Sequence, residues 1–403
     1  MATSVANAPL IQGNALTPDV TVDPNSFYAN TRRLRYPMAS KTKITGIGSS
    51  DSVSLRQSGI VAGLEVRISG TVTLNGTYAA TTMTYEWPFN FVKAFTLSAN
   101  GQSTLINARG LVIRAAEFAS NNDINDRGIA HQFGGTAAAN TQTQGTLGLS
   151  CDDWGTNAGG ILAPGTPTTV AAGQVFTVDI TYFVPVAADQ VSLIGSVYAQ
   201  SSATNLTLGI QYAAATDVIT LGGGVTADFS TLSYDVTGIV YSIPNVGGKY
   251  VIPDLTQFHS LTEALAPTPA AGTNEPQLPG VGAGRKLLRA WFNVYSGAFP
   301  GTPYALTDTN YNTVGWAYGG NTVPESYSAG GKLRALNERQ TGVDYGKNWG
   351  LGMWDFASQF ALRDVVDEGS TANLRLQVGL VNNPTTGRLP VAQENLFSGV
   401  VGA

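Results

Sequence analysis

Residues 173–212 read GQVFTVDITYFVPVAADQVSLIGSVYAQSSATNLTLGIQY. Phe176, Val178, Ile180 and Tyr182 recur at a period of two, and Leu206, Leu208 and Ile210 repeat the pattern after a connector. Such alternation puts apolar side chains on one face of a strand and Thr, Asp or Gln on the other. The spacing predicts two strands.

The same period extends outward in both directions. Upstream, SVSLRQSGIVAGLEVRISGTVTLNGT alternates at Leu64, Val66 and Ile68, then at Val72 and Leu74, and reads as a strand pair punctuated by Gly63, Gly70 and Gly76. Phe89, Phe91, Phe95 and Leu97 follow, ahead of the hairpin-type Asn100-Gly101. NARGLVIRAAEFAS then switches to a helical period, with Leu111, Val112, Ala115 and Phe118 on one face. The Gly/Ala/Thr/Asn-rich stretch 133–172 reads mostly as loop.

Downstream, STLSYDVTGIVYSIP is a strand that Pro244 ends. A Pro-rich connection (Pro253, Pro267, Pro269, Pro276, Pro279) leads to RKLLRAWFNVYSG and NYNTVGWAYGG, a short helix around Leu333 and Leu336, and the alternating NLRLQVGLVNN. MWDFASQFALRDVV is ambiguous between strand and helix. Each half thus runs strands, one short helix, then strands. The expected fold is all-β: two tandem eight-stranded antiparallel jelly rolls with short helices and long loops. The divisions fall at 1–43, an extended N-terminal arm; 44–248, the first roll; and 249–403, the second roll with its Pro-rich entry and C-terminal tail.

Charged residues make up 12% of the 403-residue chain, 22 Lys and Arg against 27 Asp and Glu, for a formal net charge of −5. Globular proteins ordinarily carry about 25%. Two explanations fit: Ser, Thr, Asn and Gln solvate the surface, or sister subunits cover much of it, where charge is depleted. An apolar share of 43% excludes a disordered chain. The negative balance disfavours a cationic nucleic-acid binder, and the single Cys151 excludes an intrachain disulfide. No stretch has the roughly 20 predominantly apolar residues of a membrane-spanning helix. No secretory leader is recognised either, since the first basic residue is Arg32.

The arm concentrates cations: Arg32, Arg33, Arg35, Lys41 and Lys43 stand against Asp19 and Asp23, with Phe27, Tyr28 and Tyr36 among them. It reads either as a solvated, frayed terminus or as a segment that orders on a neighbour, an anionic membrane or nucleic acid. Removing residues 1–43 is expected to leave the subunit's own assembly intact but to impair what the arm contacts, a neighbouring subunit or a membrane.

A search for catalytic chemistry yields no constellation. The two histidines, His131 and His259, read as loop or surface residues. No G-x-S-x-G, H-E-x-x-H or Walker sequence occurs, and GVGAGRKLL lacks the Ser or Thr of a phosphate loop. Asp152, Asp153, Glu65 and Glu86 are the carboxylates to weigh as a glycosidase pair, and Trp154, Trp316, Trp349 and Trp354 as sugar platforms. Solvation and packing account for both sets. Neither an enzyme nor a cofactor or metal site is expected; a carbohydrate-binding or carbohydrate-active sandwich is the alternative.

In its layout, the chain resembles the double-jelly-roll major capsid proteins of tailless, tectivirus-like icosahedral bacteriophages. The resemblance rests on residues 173–212, where Tyr182 to Pro185 match an aromatic-x-Val-Pro element and Gln190 to Gly195 stand in place of an Asp-x-x-Leu-x-Gly segment. SGIVAGLEVRISGTVT, the Phe89 to Arg109 block and SIPNVGGKYVIPDL at the crossover support it by their order. The resemblance implies a homotrimer of pseudo-hexagonal outline tiling a shell with neighbouring capsomers, penton and minor capsid proteins. It further implies a place in the virion after assembly in the host cytoplasm, no sequence-specific nucleic-acid contact, and Arg32, Arg33, Arg35, Lys41 and Lys43 facing inward near an internal membrane.

Overall fold

Alternation of the kind just described organises nearly the whole computed structural model. It describes residues 20–76, 80–86, 89–100, 103–120, 174–200, 204–221, 224–278, 285–299, 301–318, 322–341, 344–357 and 374–398, with short pieces at 153–154, 156–157, 160–161, 168–169 and 366–367. In chain order the main elements are β1 (Val20–Val22), α1 (Pro24–Asn30), β2 (Arg33–Lys41), β3 (Ser50–Ser54), β4 (Ile60–Gly76), β5 (Val92–Ala99), β6 (Ser103–Ala108), α2 (Gly110–Ser120), β7 (Gln174–Pro185), β8 (Leu206–Tyr212) and β9 (Ser233–Tyr241). The second half supplies β10 (Lys249–Ile252), β11 (Gln257–Ala266), β12 (Arg285–Phe292), β13 (Tyr311–Tyr318), β14 (Thr322–Tyr327), α3 (Gly330–Thr341), α4 (Tyr345–Trp349), β15 (Gly352–Asp355), β16 (Arg375–Leu380) and β17 (Leu389–Ser398).

Three large sheets form two rolls. The first sheet runs β2-β9-β4-β7 and ends on residues 153–154. The last runs from residues 272–274 through β16 and β13 to β14. Between them lies a nine-stranded sheet whose main path is β15-β12-β17-β11-β6-β5-β8-β3. The middle sheet belongs to both rolls. They join where β11 meets β6 in parallel, Leu261 opposite Ile106 and Thr262 opposite Asn107. The halves repeat one plan, since α2 follows the β5–β6 hairpin and α3 follows β13–β14.

Each roll buries the faces that its sequence alternation marks. One apolar cluster holds Val66, Ile68, Phe95, Leu97, Val178, Ile180, Tyr182, Leu208 and Ile210, and a second holds Val314, Leu333, Leu374, Leu376 and Val378. The first cluster also takes Trp291, Trp349, Leu351 and Met353 from the second half, so the core crosses the junction.

Three local expectations change. The strand pair expected between 60 and 76 is one continuous 17-residue strand, β4. Gly63 does not break it: the Phe183 ring lies over that position, and a Cβ built there would come 2.5 Å from Phe183 Cζ. Phe89 and Phe91 do not sit on β5 but in a 3₁₀ turn ahead of it, both buried. Residues 33–41, expected within an extended arm, are β2, paired antiparallel with β9 from Arg33↔Tyr241 to Lys41↔Tyr234. The preceding helix is fastened as well. Asp23 caps it by accepting from Ser26 N–H, and Phe27 is fully buried against Ile60, Leu193 and Ile252.

Candidate functional site

The expected contact residues all lie on or beside β2, an edge strand of the first sheet. Arg32, Arg33, Arg35 and Lys43 are exposed and Lys41 is half-buried. β2 also carries Pro37 and a bulge at Met38, where pairing passes from Val236↔Ala39 to Thr237↔Pro37. Charges, a proline and a bulge together keep an open edge from pairing with stray strands, which gives part of this cluster a role within the chain. Two cations are engaged locally. Arg35 lies 2.9 Å from Glu65, and Lys41 pairs with the buried Asp51, which also accepts from Thr45 and Tyr212. Lys41 and those donors hold the Asp51 carboxyl below its ordinary range against the opposing effect of burial.

The strand does not gather the five into one patch. Eight residue steps separate Arg33 from Lys41, roughly 26 Å along a strand. The Arg32–Arg33 end adjoins helix α1 and the crossover, where Tyr28, Val191, Val246 and Tyr250 are exposed. There the Tyr28 hydroxyl donates to Ser192 O, roofing a cavity of about 210 Å³ that Pro24, Ile194, Asp254, Thr256 and Gln257 also line. Sequence reading named Tyr28, Arg32 and Arg33 but missed their neighbours at 191–194 and 246–257, which lie far along the chain.

Buried polar side chains converge instead at the roll junction. Arg109, directly after β6, donates through Nη1 to Glu86, through Nε to Glu263 Oε1 at 2.8 Å, and through Nη2 to Asn293 Oδ1 at 3.0 Å. The Tyr295 hydroxyl joins Glu86 and takes an Arg109 N–H at 2.9 Å. Burial and the neighbouring Glu86 carboxylate push that phenol well up, so it stays a neutral donor. Farther along, Glu394 on β17 faces His259 Nε2 at 2.9 Å and accepts from Arg289 Nη1 at 2.9 Å, and Arg289 Nε lies 3.2 Å from Asp355. Burial raises the Glu394 carboxyl, but the Arg289 and His259 contacts win and bring it down to about 2.

The remaining sequence candidates separate. His259 is neither loop nor surface: it lies within β11 and is buried. Glu65 and Glu86 serve different ion pairs, so they form no catalytic pair. Trp349 and Trp354 are buried and Trp316 packs edge-on against Phe356, so these three build cores rather than a sugar platform. The Trp154 side chain, His131, Cys151 and Asp152 lie outside the described residues, as does the Asp153 side chain. Among the described residues no group of three His, Cys, Asp or Glu side chains converges as a metal site.

No family model and no curated protein matches the chain. Among solved structures it is similar to the STIV major capsid protein, at 15% identity over 91% of this chain and 96% of that one, with a TM-score of 0.60. A chain of the atomic structure of Sulfolobus Turreted Icosahedral Virus matches at 16% identity over 91% of this chain and 90% of that one, TM-score 0.59. The Faustovirus major capsid protein matches at 8% over 91% and 90%, TM-score 0.53. At these identities the likeness is one of fold, and the fold is the double jelly roll.

Proposed function

We propose that this chain is a structural shell subunit, a major capsid protein whose work is assembly rather than catalysis. The observation that carries the reading is the sheet shared by two rolls, matched over 91% of the chain by capsid subunits of the same architecture. Two similar wedges per chain become six in a trimer, so one polypeptide fills a near-hexagonal tile. A charge-poor surface suits such a partner-covered subunit.

On this reading the partners are sister copies in homotrimeric, pseudo-hexagonal capsomers, then neighbouring capsomers, penton and minor capsid proteins of an icosahedral virion assembled in the host cytoplasm. Of the five basic residues, Arg32 and Arg33 with Tyr28 and Tyr250 are the inward contact, toward an internal membrane. Arg35 and Lys41 hold the edge strand, and Lys43 lies at its far end. The carbohydrate alternative loses three of its four candidate platforms, since Trp349 and Trp354 are buried and Trp316 packs against Phe356.

Light scattering of the purified protein tests the reading. A mass three times that of the chain is expected, together with closed particles carrying hexagonal capsomers under negative stain. A monomer that resists concentration would overturn it. Flotation of purified, unassembled capsomers with anionic vesicles, lost on Arg32→Glu/Arg33→Glu, tests the inward contact separately.

A further inference from the structure

His259 has an acceptor on each ring nitrogen. Nδ1 lies 3.2 Å from the carbonyl oxygen of Pro185, and Nε2 lies 2.9 Å from Glu394 Oε1. A carbonyl oxygen accepts and never donates, and an ionised carboxylate likewise. Each contact is therefore a hydrogen bond only when the facing nitrogen carries a hydrogen, and a neutral imidazole carries one in total. The side chain is fully buried, so water does not replace a missing partner.

We propose that His259 is held as an imidazolium and acts as a proton-dependent tie between the rolls, fastening the end of β7 to β17 through β11. The charged surroundings balance in that form. Around the imidazole stand Glu394 on β17, Arg289 on β12 and Asp355 on β15. Farther along β11, Glu263 is committed to Arg109, and on the connector after β7, Asp189 accepts from Ser192 N–H. With the proton, His259 and Arg289 offset Glu394 and Asp355. Without it, one buried negative charge is left over and a lone pair is turned toward either Pro185 or Glu394.

The connector is built around this contact. Gly195 bridges Phe258 in parallel, and at its φ of +86° a Cβ would stand 2.6 Å from His259 Cβ. Ala188 N–H donates to Ile194 O at 2.9 Å, closing the loop that Gly195 lays against the His259 backbone. Loss of the ring proton removes one of the two contacts and loosens the 186–196 connector where it meets β11.

Histidine-labelled full-length protein, examined by solid-state ¹⁵N NMR, tests this in whatever assembly the chain adopts. Two histidines give two sets of signals, and His259→Gln assigns them. Both His259 nitrogens are expected in the N–H range at pH 7.5; a lone-pair signal there would overturn the proposal. Hydrogen exchange of peptides covering 186–196, corrected for intrinsic base catalysis, should accelerate about tenfold as the imidazole deprotonates, the effect of losing one charge-assisted hydrogen bond. Protection that stays constant across that transition would refute the tie. If His259→Gln fails to fold, Glu394→Gln keeps the shape while removing the charge. It should return one nitrogen to its lone-pair form at pH 7.5; a doubly protonated ring in that variant would also refute the proposal.

Discussion

Glu394 receives His259 on one oxygen and Arg289 on the other, and its acid–base behaviour follows from that. Its carboxyl falls from an ordinary value of 4.5 to about 2 in the folded chain. The stabilisation is thus complete above roughly pH 4.5 and is lost as pH falls toward 2. Acid unfolding followed by intrinsic fluorescence should show this loss, and Glu394→Gln should flatten the profile between those limits. Arg109 offers a sharper case. Arg109→Met strands Glu86 and Glu263 in the junction and is expected to cost about 3–5 kcal/mol in denaturant titration. Gly195→Ala, at positive φ and against His259, should cost about 1–3 kcal/mol. His259 was illegible in the sequence because its strand hides its own period. His259, Leu261 and Glu263 share the core face of β11, and the two polar members are admitted there only by partners far away in sequence, Glu394 and Arg109.

Among elements, the strands legible beforehand are those with one dry face and one wet one. β7, β8 and β9 match the alternation that predicted them, and α2 and α3 the helical spacing. β17 gave no such signal: flanked by β11 and β12, it buries Gln393, Glu394 and Asn395 in succession, so no period of two survives. β4 was split on paper by glycines that in the fold make room for neighbours. β2 changes the expectation for truncation. Removing 1–43 takes away β2 and the Phe27 plug and bares the β9 edge, so aggregation in sedimentation experiments is expected instead of the intact subunit the sequence suggested.

For the molecule as a whole, the two-roll plan was readable from repeated order, strands then helix then strands. The way the rolls are joined was not, because the β11–β6 contact links residues more than 150 positions apart through an unremarkable pair of apolar positions. That contact, the Arg109 cluster and the Phe89–Trp349 ring pair at 5.4 Å tie the halves together. Thermal unfolding of the full chain should accordingly be a single calorimetric transition rather than two, and separately expressed halves should fail to refold. Among the described residues, two wedges welded along one sheet leave no hinge between them. Any rounding of a surface paved with this chain must be absorbed at the seams between molecules, so the seams, and not the tiles, set how tightly such a surface can close.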